Sequence, residues 1–176
     1  MTTANTYDLK TIYYHWFSAA LIFTLWLLGE NIDWFAKGDP RVYARSLHIT
    51  LGLILAFVFV RRFKWRIQGG VKLPQATPGG MGKLALGVHH LLYLLIGLTI
   101  ILGIAAVWIR GDNIFNLFQV PAFDPTDKQL REDVVDVHGL LANSLLILAA
   151  GHAVLAIWHQ LMIKDGVLKR MWPGLK

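Results

Sequence analysis

Apolar residues in this chain are massed rather than spaced. Four stretches carry them: Ile12–Leu28, Leu47–Val60, Leu84–Ile109 and Val134–Ile163. All six prolines (Pro40, Pro74, Pro78, Pro121, Pro125 and Pro173) fall outside these stretches. A helix of a water-soluble bundle keeps a polar face, and Leu91–Ile109 has almost none. A helix crossing ~30 Å of hydrocarbon needs about 20 apolar residues. The third and fourth stretches exceed that. The second is the weakest, with fourteen residues before Arg61. It reaches across if Arg45 and Ser46 begin the helix and if Arg61 and Arg62 extend their charged heads to the lipid headgroups. The pattern predicts an all-α fold, an integral membrane four-helix bundle. Its spans are expected at about 10–29, 44–63, 83–109 and 134–163, within a single domain over 1–176. A bundle of buried helices in water is the competing reading.

Charge orients the spans. With both termini cytoplasmic, the inside segments carry 11 Lys/Arg against Asp8 and Asp165, and the outside loops carry 6 Lys/Arg against nine acids. The segment Arg61–Lys83 alone holds Arg61, Arg62, Lys64, Arg66, Lys72 and Lys83 and no acid. Positive residues concentrate on the cytoplasmic side of membrane proteins, so N-in and C-in is expected. The net charge of +6 is thereby assigned to topology rather than to a nucleic-acid surface. The absence of cysteine excludes disulfides, iron–sulfur clusters, thiolate zinc sites and covalent c-type haem. No short apolar run ending in a small-residue cleavage site opens the chain, so the first span is expected to be retained.

Seven histidines lie in or beside the spans: His15, His48, His89, His90, His138, His152 and His159. Ionisable side chains at membrane depth are costly and mark function more often than chance. Any one of them is as readily a hydrogen-bonded packing residue; the set is harder to dismiss. His138 and His152 stand fourteen residues apart, which puts them within about 40° of one helix face and ~21 Å apart along the axis. One helix can then offer a ligand near each membrane surface. With N-in topology, His48 shares the outer depth of His138, and His15 shares the inner depth of His152. The expected pairs are His48 with His138 and His15 with His152. The residue one turn on, which shares the ligand's face, is Ala19, Gly52, Ala142 and Ala156 for these four. After His89, His90 and His159 it is Tyr93, Leu94 and Ile163. Small residues leave room for a flat macrocycle, although they also serve helix packing.

Two imidazoles per site suit a haem iron, whose other four ligands come from the macrocycle. A bare metal ion needs three or four protein ligands, and the spans hold no acid to complete such a set. The economical reading is two haem b groups stacked across the bilayer. Bis-histidine iron has no vacant position, so the expected chemistry is electron transfer. A non-redox membrane protein with structural histidines remains the alternative.

Tyr14-His15-Trp16, Leu47-His48-Ile49 with Gly52, His138 with Ala142, His152 and His159 resemble the bacterial cytochrome b561 family. So does the tail Lys164-Asp165-Gly166-Val167-Leu168-Lys169-Arg170-Met171-Trp172-Pro173. The resemblance covers nearly the whole chain. It implies a di-haem cytochrome of the bacterial inner membrane, with His15, His48, His138 and His152 as axial ligands of the haem iron. It further implies His159 as a contact for ubiquinone or another quinone, and it aligns His89 with a family histidine, whereas His90 is extra. Arg45 and Arg110 outside, and Arg61 and Arg62 inside, are candidates to pair with haem propionates. One branch of the family oxidises superoxide at the outer face and reduces ubiquinone, which would make the chain an enzyme. Here, however, the outer segment Arg110–Asp136 sums to −3, a poor attractor for an anion. The alternative is an electron-carrier subunit that joins quinone to a separate redox partner docking on that acidic loop. The expected partners are membrane lipid, a quinone, and either superoxide or a redox protein.

Overall fold

The computed structural model describes residues 6–76, 79–172 and 174, so Pro78 and Pro173 lie outside the described residues. Four long helices dominate: α1 Leu9–Asn31, α2 Asp39–Gln68, α3 Gly80–Arg110 and α4 Lys128–Trp158. All four are long and apolar enough to cross a membrane. Their starts follow from short-range chemistry. The Asp8 side chain accepts from Thr11 N at 3.0 Å and caps α1. Asp127 caps α4 by accepting from Leu130 N at 2.9 Å. Pro40 sits in the first turn of α2, where its missing N–H costs nothing. α3 stops at Gly111, left-handed at φ 65, with Asp112 N bonded back to Val107 O at 3.2 Å.

The second span is not the short one. α2 starts six residues before Arg45 and continues past Arg61 and Arg62 to Gln68, 30 residues in all. The least apolar window belongs to α1 instead. A helix need not end where its apolar residues end, because the charged residues that follow are good helix formers and sit in headgroups. The fourth span also differs from a plain α-helix. Beyond Trp158 it widens into a π-helical turn, His159–Ile163.

Among the described residues, one small departure from all-α structure occurs outside the spans. Strands β1 (Asn113–Ile114) and β2 (Phe118–Gln119) pair antiparallel between α3 and α4. Phe115 and Asn116 both take positive φ (50 and 58), the signature of a type I′ turn. The bulky Phe115 is held there by its N–H donating to Ser46 Oγ at 2.8 Å. Ser46, fully buried on α2, in turn donates to Val42 O at 2.7 Å. This one hydroxyl latches the hairpin onto α2.

α1 packs along α2 and α3 along α4, while the α2–α3 and α1–α4 seams are thinner. The buried apolar cluster is small: Leu21 and Leu25 of α1 against Leu55 and Val58 of α2, with Tyr14, Ile22, Leu51 and Ile100 around it. Most large apolar side chains face outward, as they do when the solvent is lipid. What the packing leaves between the two helix pairs is a histidine-lined interior.

Candidate functional site

α4 contributes His138 and His152, α1 contributes His15 and α2 contributes His48. The imidazoles of His48 and His138 lie with ring centroids 6.3 Å apart at 80°. Those of His15 and His152 lie 6.4 Å apart at 70°. Two imidazoles binding one ion from opposite sides have centroids about 6 Å apart, from about 2 Å per metal–nitrogen bond and about 1 Å from each nitrogen to its ring centre. Both pairs have that spacing. Among the described residues, no three His, Cys, Asp or Glu side chains converge as a bare ion would need. A macrocycle that supplies the remaining four ligands therefore fits the donor set.

The His48/His138 pair, which the expected topology puts outside, is seated by backbone. His138 Nδ1 lies 3.0 Å from Thr99 O of α3, so Nδ1–H donates and Nε2 keeps its lone pair for a metal. The ring reaches that carbonyl because the residue one turn on is Gly103. A Cβ there would stand 3.0 Å from His138 Cε1. Gly29 plays the same part for His48, with a Cβ meeting its Cε1 at 3.2 Å. Buried His48 Nδ1 has no hydrogen-bond partner among the described residues. At Gly52, one turn after His48, an added Cβ would meet nothing within 4 Å, which is free space beside the ligand.

The His15/His152 pair, which the same topology puts inside, is framed by side chains. An Arg62 guanidinium nitrogen lies 3.2 Å from His15 Nδ1, while its carbon sits 5.1 Å from the centre of the Tyr93 ring. Guanidinium has no lone pair, so Nδ1 accepts and the ring proton sits on Nε2. A metal at Nε2 needs the opposite tautomer, so Arg62 must turn away when the site is loaded. His89 of α3 packs against His152 with centroids 5.1 Å apart, too close to bind one ion from opposite sides. Its Nδ1 is tied to Ala85 O at 2.6 Å. His90 is exposed on α3.

The candidate arginines divide. Arg110 and Arg45 converge on buried Asp112 at 3.0 and 3.7 Å, three residues before His48 in the case of Arg45. Burial holds the Asp112 carboxyl above the ordinary carboxylate range, and Arg110 and Arg45 pull it only part of the way back. Arg45 Nε is buried without a partner among the described residues. Arg62 touches the inner pair, whereas Arg61 is exposed. His159 stands at the start of the π-helical turn, with Nδ1 2.6 Å from Asp165 Oδ2. Burial pushes the Asp165 carboxyl up, but hydrogen bonds from His159 and Val167 N hold it below the ordinary range.

Over residues 6–174 the sequence matches the family described as prokaryotic cytochrome b561. The chain belongs to that family. Its relatives include cytochrome b562 of Cereibacter sphaeroides, 32% identical over 97% of this chain and 98% of the relative. Cytochrome b561 homolog 2 of Escherichia coli is 30% identical over 96% and 92% of the two chains. A probable superoxide oxidase CybB of Yersinia pestis is 26% identical over 95% and 96%. The cytochrome b561 chain described here is thus a multi-pass membrane electron carrier of a haem b-binding family.

Thr99, Gly29, Gly103 and Asp112 escaped the sequence reading, and Asp165 entered it only as an inside acid and part of the tail, not as the partner of His159. A glycine inside a bulky apolar helix such as Leu98–Ile109 is a visible signal for close approach. Nothing in the sequence says which ring approaches. Asp112, one residue past a helix-ending glycine, reads as a loop acid.

Proposed function

We propose that the chain holds two haem b groups, on His48/His138 toward the outer face and on His15/His152 toward the inner face, with both termini cytoplasmic. The observation that carries this is the pair of spacings, 6.3 and 6.4 Å, each built from different helices. When bound, the haems supply a one-electron relay across the bilayer. The protein's own part is positional. Thr99 O holds the His138 proton on Nδ1, and Gly29 and Gly103 let α1 and α3 approach the ligand rings. Arg62, displaced from His15, becomes available to an inner propionate. Buried Arg45 Nε supports the same role outside, with Arg110 beside it.

Electrons then pass between the outer face and a quinone at the inner leaflet. His159 is the quinone contact, its Nδ1 held by Asp165 so that Nε2 is the free nitrogen. A relative named as a probable superoxide oxidase supports superoxide as the outer donor and ubiquinone as acceptor. A specific observation favours the second reading, an electron-carrier subunit serving a separate redox protein. Outer arginines Arg41, Arg45 and Arg110 each sit against a carboxylate, Asp33 or Asp112, which leaves little positive potential to draw an anion. The test is a superoxide pulse on the purified protein, followed by ubiquinone. Rapid haem reduction and then reoxidation support the oxidoreductase. Slow reduction by superoxide, with fast reduction by quinol, assigns the chain to the carrier role. Haem content other than two per chain overturns the di-haem reading.

A further inference from the structure

α4 ends in an irregular way, and the proposed quinone contact uses only the first residue of that ending, His159. After Trp158 the helix widens into the π-helical turn His159–Ile163, a form that recurs at functional sites. Lys164 closes it in the left-handed region (φ 57), its N–H bonded to His159 O at 2.7 Å. Gly166 follows with φ 74, and a 3-10 turn, Leu168–Arg170, returns the chain. This path folds Lys164 and Lys169 around one cavity of about 330 Å³, lined also by Gln160, Leu161 and Gly166. That volume lies within the range of small-ligand sites, roughly 300–1,000 Å³.

Three features of the cavity define its occupant. Two lysines call for negative charge. The adjacent acid, Asp165, is engaged by His159 at 2.6 Å and by Val167 N at 3.1 Å. Gln160 Oε1 is buried and accepts no hydrogen bond among the described residues, so it calls for a donor. Leu161, 60% exposed, lies at the end of a membrane-spanning helix, where an acyl chain runs past. A quinone offers acceptors and its quinol offers hydroxyls, but neither brings the negative charge that the lysines call for. A zwitterionic headgroup brings a cation against the lysines. We infer that this cavity binds an anionic phospholipid headgroup bearing a hydroxyl donor, of the phosphatidylglycerol type, in the inner leaflet. The phosphate meets Lys164 and Lys169, and a glycerol hydroxyl donates to Gln160 Oε1. Basic pockets at the cytoplasmic ends of membrane helices are suited to such headgroups.

The test uses the purified, haem-loaded full chain, delipidated and re-supplied with defined lipids, read by native mass spectrometry. Phosphatidylglycerol is expected to be retained at one per chain in preference to phosphatidylcholine and to phosphatidylmethanol, which has the charge but no hydroxyl. K164Q/K169Q is expected to weaken retention on the order of thirty-fold, with the haem spectrum reporting that the fold is intact. K64Q/K72Q removes the same charge outside the cavity and should leave retention unchanged, and Q160L should erase the preference over phosphatidylmethanol. Equal retention of phosphatidylcholine, or equal weakening by K64Q/K72Q, overturns the proposal. Retention of glycerol 3-phosphate or inorganic phosphate as tight as that of the lipid overturns the lipid as its source.

Discussion

The two histidine pairs have nearly the same spacing and reach it by different means. The outer pair rests on backbone: Thr99 O behind His138, and glycines 29 and 103 against the rings. Around it, the end of the bundle is clamped by the Ser46 latch and by Arg45 and Arg110 on buried Asp112. The inner pair rests on side chains, Arg62 at His15 and His89 at His152. Its surroundings are tied by the chain ends instead. Asp8 accepts from Trp65 Nε1 and Val71 N, both at 3.0 Å, and Trp16 Nε1 donates to Met171 O at 2.9 Å. Backbone supports cannot relax without moving a helix, whereas side-chain supports change by rotamer. The outer site should therefore be rigid and all-or-none, and the inner site adjustable.

The two pairs should be independent of one another. His48→Ala or His138→Ala is expected to remove the outer haem, about half the b-type absorbance, and His15→Ala or His152→Ala the inner one. Low-temperature difference spectra would resolve which half is lost. Loss of the same spectral component from all four variants would contradict two separate sites.

A substitution behind a ligand sharpens the contrast. Gly103→Val places a branched side chain where even a Cβ stands 3.0 Å from His138, so the outer haem should be lost or pass to a weak-field form. Haem titration of the apoprotein should show one tight equivalent in place of two. Arg62→Gln probes the adjustable end. Taking a cation from beside the inner haem should lower its midpoint potential by tens of millivolts and leave the outer one in place, where 59 mV corresponds to a tenfold change for one electron. A redox titration followed optically measures this. An equal shift of both potentials would mean that Arg62 acts at long range rather than at an inner propionate.

The smallest effect concerns the tie at the inner end. Burial pushes the Asp8 carboxyl up, but hydrogen bonds from the Thr11 side chain and N–H, Val71 N and Trp65 outweigh it and hold it at about 2. A depressed carboxyl stabilises the fold above its unfolded value, about 4, and that contribution is lost as pH falls through 2. Asp8→Ala should cost about 1 kcal/mol at neutral pH and flatten the acid limb of thermal unfolding between those values. An unchanged acid limb would show that the Asp8 hydrogen bonds contribute nothing to stability.

Much of this was visible along one dimension. Hydropathy located four spans, and helical arithmetic placed His138 and His152 on one face at two depths. Span order then matched His48 to one and His15 to the other, the same partners that the folded chain brings within 6.3 and 6.4 Å. The limits of α2 were less visible, because charged residues at Arg61 and Arg62 end an apolar run without ending a helix. The π-helical turn after Trp158 leaves no periodic mark in five residues.

Depth and face are properties of a single helix, set by its rise and its repeat, so they can be read from residue order alone. What stands behind a ring is a property of two helices and depends on how each is turned about its own axis. Thr99 and Gly103 meet His138 only once α3 is rotated against α4, and Arg62 meets His15 only once α2 lies against α1. That rotation is settled by many small side-chain contacts summed over whole seams, and no short stretch of residues carries it.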